Sequence, residues 1–346
     1  MKCAAASTAL RPHRARSGCC AILASANARP RVLPILVVLG CCLLSAAASR
    51  PCVADGIPTC VRSWGNYSGE TWGLAADSQG ALYVPDTEHQ RVDKYDADGQ
   101  LLLSIGGPGG PGRFALPYWV AVNSHDEVLV LDAILRTIQI FDVSGNYLGT
   151  FVGYQPGTFQ PVSMELDAND NLYVTEFNPS RVDPPGPTVY RLQKYSSAGI
   201  HLLDFDLSTC SIRGCLRSDS HGGIYGDSDG DQLVRFSEAG ACLSKIGATG
   251  TGPAQFRYPA GFDLMGDNTL VCVDSGNRRV QLLTLNGEFL GAWNTAGPEG
   301  DLVYPLGALV VGQAVYITDR QRIHKFSFGT TPVRASSWGR LKSLYR

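Results

Sequence analysis

Leu82-Tyr83-Val84-Pro85-Asp86 is an apolar run long enough for one strand, and it stops on an acid. The pattern returns as Val128-Leu129-Val130-Leu131-Asp132, Leu172-Tyr173-Val174-Thr175-Glu176, Leu270-Val271-Cys272-Val273-Asp274 and Val315-Tyr316-Ile317-Thr318-Asp319. A degraded copy, Ile224-Tyr225-Gly226-Asp227-Ser228, fills the gap. Successive copies end 46, 44, 52, 46 and 45 residues apart. A period in the forties with several short strands per unit marks a β-propeller.

One unit shows how the period is built. Tyr118–Val122 is an apolar strand, Asn123–Asp126 a polar turn, and Val128–Leu131 a second strand. Thr137–Phe141 alternates polar and apolar, as a half-buried strand does. Asp142-Val143-Ser144-Gly145 is hairpin chemistry, and Tyr147–Val152 closes the unit. The expected fold is all-β: a six-bladed β-propeller of four-stranded antiparallel blades behind an N-terminal targeting segment. One such sheet cannot bury both faces alone, so the blades must stack in a ring.

The lead-in Phe-x-x-Pro (Phe114/Pro117, Phe256/Pro259), the acid-ended second strand and an arginine opening the third strand together resemble NHL repeats. The arginines are Arg91, Arg279 and, after a shorter turn, Arg322. Phe159/Pro161 is one residue tighter, and Leu302 replaces Phe before Pro305. The resemblance implies six NHL-like units within 55–339, at about 61–106, 107–152, 153–206, 207–247, 248–294 and 295–339. Residues 340–346 form a tail. Two segments could supply the last blade's outer strand, since both end in Trp-Gly: Val61–Gly65 and Arg334–Gly339. Spacing from Phe326 favours the C-terminal one.

Residues 1–54 form the targeting segment. They hold seven of the 29 Lys and Arg and no acid, leaving 22 bases against 31 acids and a net charge of −9 in the remainder. That balance, without a basic cluster, makes nucleic acid an unlikely partner. The apolar stretch at 32–49, ending in Ala46-Ala47-Ala48, reads as a secretory signal. A retained signal anchor that would tie the chain to a membrane, or a two-part organelle address, are the alternatives. Secretion or a lumenal location is therefore expected. Cys52/Cys60 and Cys210/Cys215 are the pairs close enough in sequence to suggest disulfides, and Asn66-Tyr67-Ser68 is a glycosylation sequon.

Units three and four break the pattern. Phe177–Thr188 is an insertion, and Leu207–Cys215 replaces the Phe-x-x-Pro lead-in. Long loops on a rigid scaffold are where binding residues collect. Arg181, Asp183 and Arg213, with Cys210 and Cys215 beside them and His89 on the same side, are the binding-face candidates for a protein, peptide or glycan. The repeated acid-to-arginine turns read as structural braces. Asp227, Asp229 and Asp231 resemble the opening of a calcium loop, but Gln232 stands where glycine belongs, so a solvated turn is the plainer reading. The rival function is a metal-dependent lyase or hydrolase of the propeller type, similar to peptidyl-hydroxyglycine lyases, holding calcium or zinc. It needs converging ligands; His89 alone is on the loop side, while His125, His201 and His221 fall on opposite-side turns. No cofactor is otherwise expected, and no Ser/His/Asp set with a nucleophile-bearing turn is visible.

Overall fold

The computed structural model describes residues 57–328 apart from 68–70, 108, 110, 158, 179–188, 208, 267 and 321. Six four-stranded antiparallel sheets follow one another in sequence. Blade 1 comprises Ala75–Ala76, Leu82–Asp86, Arg91–Tyr95 and Leu101–Gly106; blade 2 comprises Pro117–Val122, Val128–Asp132, Thr137–Phe141 and Tyr147–Thr150. Blade 3 is Gln160–Leu166, Leu172–Asn178, Val189–Tyr195 and His201–Asp204, and blade 4 is Leu216–Ser218, Ile224–Asp227, Leu233–Phe236 and Cys242–Ile246. Blade 5 is Pro259–Met265, Thr269–Asp274, Arg279–Thr284 and Phe289–Trp293. Blade 6 takes Pro305–Val311, Ala314–Asp319 and Arg322–Ser327, and its outer strand is Thr59–Trp64. This is the propeller expected from the repeat.

The second strands are buried on both sides because the blades stack. Val130 of blade 2 shares an apolar cluster with Tyr83 of blade 1, and Ile224 of blade 4 one with Tyr173 of blade 3. Val273 of blade 5 meets Ile317 of blade 6 in the same way. Each such side chain, wholly withdrawn from water, stabilises by about 1.5–3 kcal/mol. A continuous apolar second strand is therefore a signature of stacked sheets.

Two ends of the stack result. Loops joining strands two to three and blade to blade emerge on one side, the loop face. Hairpins joining strands one to two and three to four emerge on the other, the turn face. The tyrosine of the Leu-Tyr-Val copies spans to the turn face. Tyr83 and Tyr173 donate to Asp77 and Asp167 at 3.1 Å, and Tyr225 to Asp219 at 3.2 Å. Lys94, Lys194 and Arg235 of the neighbouring third strands pair with the same three carboxylates.

Ring closure corrects one expectation. The N-terminal Thr59–Trp64, and not the C-terminal copy, pairs with Arg322–Ser327, with Trp64 opposite Ile323. Arg334–Gly339 lies outside the described residues. The reason is what Trp64 does there: its ring lies 6.0 Å from that of Tyr316 in blade 6 and 6.2 Å from that of Tyr95 in blade 1. Gly99, at φ +79, has no side chain to obstruct it. One indole thus seals the last blade to the first, which spacing in sequence could not reveal. Trp64→Ala should lower unfolding stability by about 3 kcal/mol, as truncation of packed aromatics does. Trp338→Ala should leave it within about 0.5 kcal/mol in the same urea titration.

Candidate functional site

The loop face is organised by the acid that ends each second strand. Asp86, Asp132, Glu176, Asp227, Asp274 and Asp319 are all buried. Asp132 accepts backbone N–H bonds from Ala115 and Leu116 of its own lead-in, and Asp319 does so from Val303 and Tyr304. Asp274 accepts from the Arg257 N–H, the Gln281 amide and the Arg279 guanidinium, the last at 2.8 Å. Glu176 is held by Arg191 at 2.6 Å and by the Tyr154 hydroxyl at 2.9 Å. These are braces that tie down the lead-in as well as the turn, although Arg322, expected to brace Asp319, pairs with Glu299 instead.

Two binding-face candidates belong to this bracing. His89 is bonded through Nδ1 to Asp86, which also pairs with Arg91. Arg213 meets Asp227 at 3.2 Å, donates to the Pro259 carbonyl of the next blade and lies 4.5 Å over the Tyr258 ring. Asp227 is thus no part of an open cation loop. Burial pushes its carboxyl up to about 6, against the lowering pull of Arg213. Asp229 is exposed, and Asp231 accepts the Tyr258 N–H at 2.7 Å. Here the sequence reading needs correction: Asp227 is a buried brace and not a solvated turn residue, and the three carboxylates do not converge. Among the described residues no group of three or more His, Cys, Asp and Glu is placed to hold a metal ion. Arg181 and Asp183 lie outside the described residues.

Tyr258 is a partly exposed residue of the lead-in to blade 5. Its φ of +51 is costly for a bulky residue, of order 1 kcal/mol or more. Its ring meets Trp72 of the blade 1 lead-in edge-on at 6.5 Å, across the width of blade 6. Deeper in, Arg217 of blade 4's first strand is 6 % exposed and fills the axis. It reaches Asp263 of blade 5 at 3.2 Å, Glu165 of blade 3 at 3.4 Å and the Ala308 carbonyl of blade 6 at 3.0 Å. Burial raises Glu165 to about 7, with Arg217 pulling the other way and Asp263 adding to the rise. Sequence reading missed this cluster because its three members sit in different repeats, 52 and 46 residues apart. The only signal was a charged residue inside each of three apolar first strands.

The cysteines correct a second expectation. Cys210 bonds to Cys242 on the outer strand of blade 4, with Cα atoms 5.9 Å apart, and not to Cys215. Cys215 is a buried free thiol in the central core, pushed up to about 12 by burial, and borders no surface patch. Cys60 is free, and Cys52 lies outside the described residues. The bridge stands in for the missing Phe-x-x-Pro lead-in: it pins the irregular segment before blade 4 to that blade's edge. Asn66 is exposed.

His201 and His221 bond locally, to Gln193 and Asp204 and to Ser220, while His125 meets Ser124 and, at 3.6 Å, Asp170 of blade 3. One Ser–His–acid set does occur. Ser63 and His324 Nδ1 are hydrogen-bonded at 2.7 Å, and His324 Nε2 is 3.9 Å from Asp319. It is a structural staple between strands three and four. Gln193 and Asp204 make the same cross-strand bond in blade 3, and the Asp319 carboxylate is already occupied by backbone donors.

No family model matches the chain. A human relative, NHL repeat-containing protein 3, is 29% identical over 144 residues, covering 36% of this chain and 42% of the relative. The chain therefore matches less than half the length of that curated relative. Virginiamycin B lyase from Staphylococcus aureus is similar in structure, with TM-score 0.55 and 12% identity over 77% of this chain and 98% of the lyase. A gluconolactonase from Xanthomonas campestris gives TM-score 0.57 and 14% identity over 79% and 98%. At such identity these two likenesses speak for the fold. The blade architecture is that of a six-bladed propeller, and the repeat signature and the human relative support a likeness to NHL-repeat proteins.

Two outcomes follow from the site's bracing. Cys210→Ser should cost about 2–4 kcal/mol, the range for closing a loop of this size, and peptide mapping should recover a Cys210–Cys242 link. Burial lowers the pKa of His324. The unfolded chain therefore binds that proton more readily, and stability should fall as pH drops through about 6.5 and below. His324→Gln should flatten that part of the pH profile, read by thermal unfolding.

Proposed function

We propose that this propeller is a non-catalytic binding module, exported or lumenal, that takes a protein, peptide or glycan partner on its loop face. The observation that carries the proposal is Arg217. Two carboxylates converge on the axis, as a metal site would need, but the guanidinium already spans Glu165 and Asp263. A divalent cation would have to displace a buried cation, so the residues present do not fit a channel metal. The loop face offers Trp72, Tyr258 and Arg213, the residue types that dominate binding energy at interfaces. The Cys210–Cys242 bridge suits an oxidising compartment, and the exposed Asn66 suits glycosylation there.

The second reading is a propeller-type lyase or hydrolase. Its support is that structural neighbours include a lyase and a gluconolactonase. Purified protein separates the two. Glycan and peptide arrays probed with the wild type should give hits that Tyr258→Ala abolishes while His125→Ala, on the turn face, retains them. Stoichiometric calcium or zinc in the purified protein, or array binding untouched by Tyr258→Ala, overturns the binding reading. Arg217→Met should destabilise by about 3 kcal/mol at pH 8, because it strands two partly buried carboxylates. The loss should be smaller at pH 5, where Glu165 is protonated.

A further inference from the structure

The turn face has a composition unlike the rest of the molecule. Among the described residues, its hairpins carry eleven Asp and Glu and neither Lys nor Arg. Four cations reach it from third strands: Lys94, Lys194, Arg235 and Lys325. Arg62 on the outer strand of blade 6 also acts on Asp98, so eleven acids against five bases leave a net charge of −6. Three of the acids have their charged form favoured by hydrogen bonds. Hydrogen bonds from Lys325 lower the pKa of Asp98, those from Ser78 lower Asp126, and those from Asn146 lower Asp142. A field of one sign across one end of a small body attracts segments of the opposite charge.

The chain itself supplies such a segment at that place. The third strand of blade 6 runs from Arg322 near the loop face to Ser327 at the turn face, where Ser327 pairs with Thr59. Thr59–Trp64 occupies the outer-strand position beside this third strand. The chain therefore leaves the propeller on the acidic side. Lys325, three residues before that exit, already pairs with Asp98 and donates to the Ala97 carbonyl of blade 1. Residues 329–346 contain Arg334, Arg340, Lys342 and Arg346 and no acid. Eighteen residues can span on the order of 60 Å when extended, enough to cross the face.

We propose that the acidic turn face is the docking surface for the chain's own C-terminal segment, residues 329–346. Individual exposed ion pairs are weak. Tethering makes their association intramolecular, with an effective concentration in the millimolar range, and weak contacts then suffice. Docking there leaves the loop face open, so this inference stands independently of what the loop face binds.

Lys342 is the single lysine of the segment, which makes the test direct. Full-length protein is treated with a zero-length carbodiimide crosslinker, and peptides are mapped by mass spectrometry. The expected links join Lys342 to turn-face carboxylates such as Asp96, Asp98 or Asp142, with a yield per chain unchanged by dilution. About 0.5 M NaCl, where the screening length is about 4 Å, should reduce that yield at least fivefold. Replacing Arg334, Arg340 and Arg346 by Glu alters no described contact and should abolish the links while the circular dichroism spectrum is retained. Links to loop-face acids such as Asp229 or Asp301 overturn the proposal. So does a yield that scales with protein concentration, which means a second copy is the occupant, and so does the absence of any Lys342 link. If the Glu variant binds array ligands as the wild type does, the two faces are confirmed as separate functions.

Discussion

The molecule depends on burying one carboxylate per blade at the loop-face end of the second strand. A buried charge survives only when donors surround it. Each acid therefore forces its neighbourhood into one shape: the lead-in folds back to present N–H groups, or an arginine is drawn down from the third strand. Asp132 relies on backbone donors alone, while Asp274 adds Arg279, Asn277 and Gln281. The bracing reaches the next blade as well. Thr87 donates to the Pro117 carbonyl, Ser275 to that of Pro305 and Arg213 to that of Pro259. Blade geometry and blade stacking are in this way set by the same few atoms.

That constraint separates the two ends of the propeller. On the loop face the repeated acids are buried and matched, so the surface character is left to residues outside the repeat, such as Tyr258, Trp72 and Asp229. On the turn face the acids belong to tight hairpins, whose side chains cap their own N–H groups. Asp142 does this with Ser144 and Asn146, and Asp167 with Asn169 and Asn171. A requirement of turn chemistry, repeated around the ring, thus produces an electrostatic surface.

The axis is decided by neither repeat nor turn. Arg217, Glu165 and Asp263 come from first strands of three different blades, and each would be a poor choice for an apolar strand by itself. Together they satisfy one another, and Trp119 of blade 2 lies 6.0 Å from the guanidinium. In this arrangement the guanidinium occupies the place between the two carboxylates. The same arrangement shows why the irregular blade 4 matters: its short first strand carries the arginine, and its lead-in is held by a disulfide in place of Phe-x-x-Pro.

The fold was legible from residue order alone because the period and the apolar-to-acid strands express local rules: strand alternation, hairpin residues and an acid wherever a turn must be braced. Those rules act over a few residues and survive in a single chain. Contacts between repeats do not. Val61–Gly65 and Arg334–Gly339 are near-equivalent words, and only the seat of Trp64 between Tyr95 and Tyr316 selects the first. Cys215 is closer in sequence to Cys210 than Cys242 is, yet Cys215 points into the central core while Cys242 sits at the blade edge. The pattern at Asp227 reads as a solvated turn, whereas Arg213 beside it makes it a buried brace. By itself the sequence determined how each blade is made and how many there are. The tertiary structure decided which end closes the ring, which cysteines bond and what fills the axis, because those depend on atoms brought together from positions the chain does not place side by side.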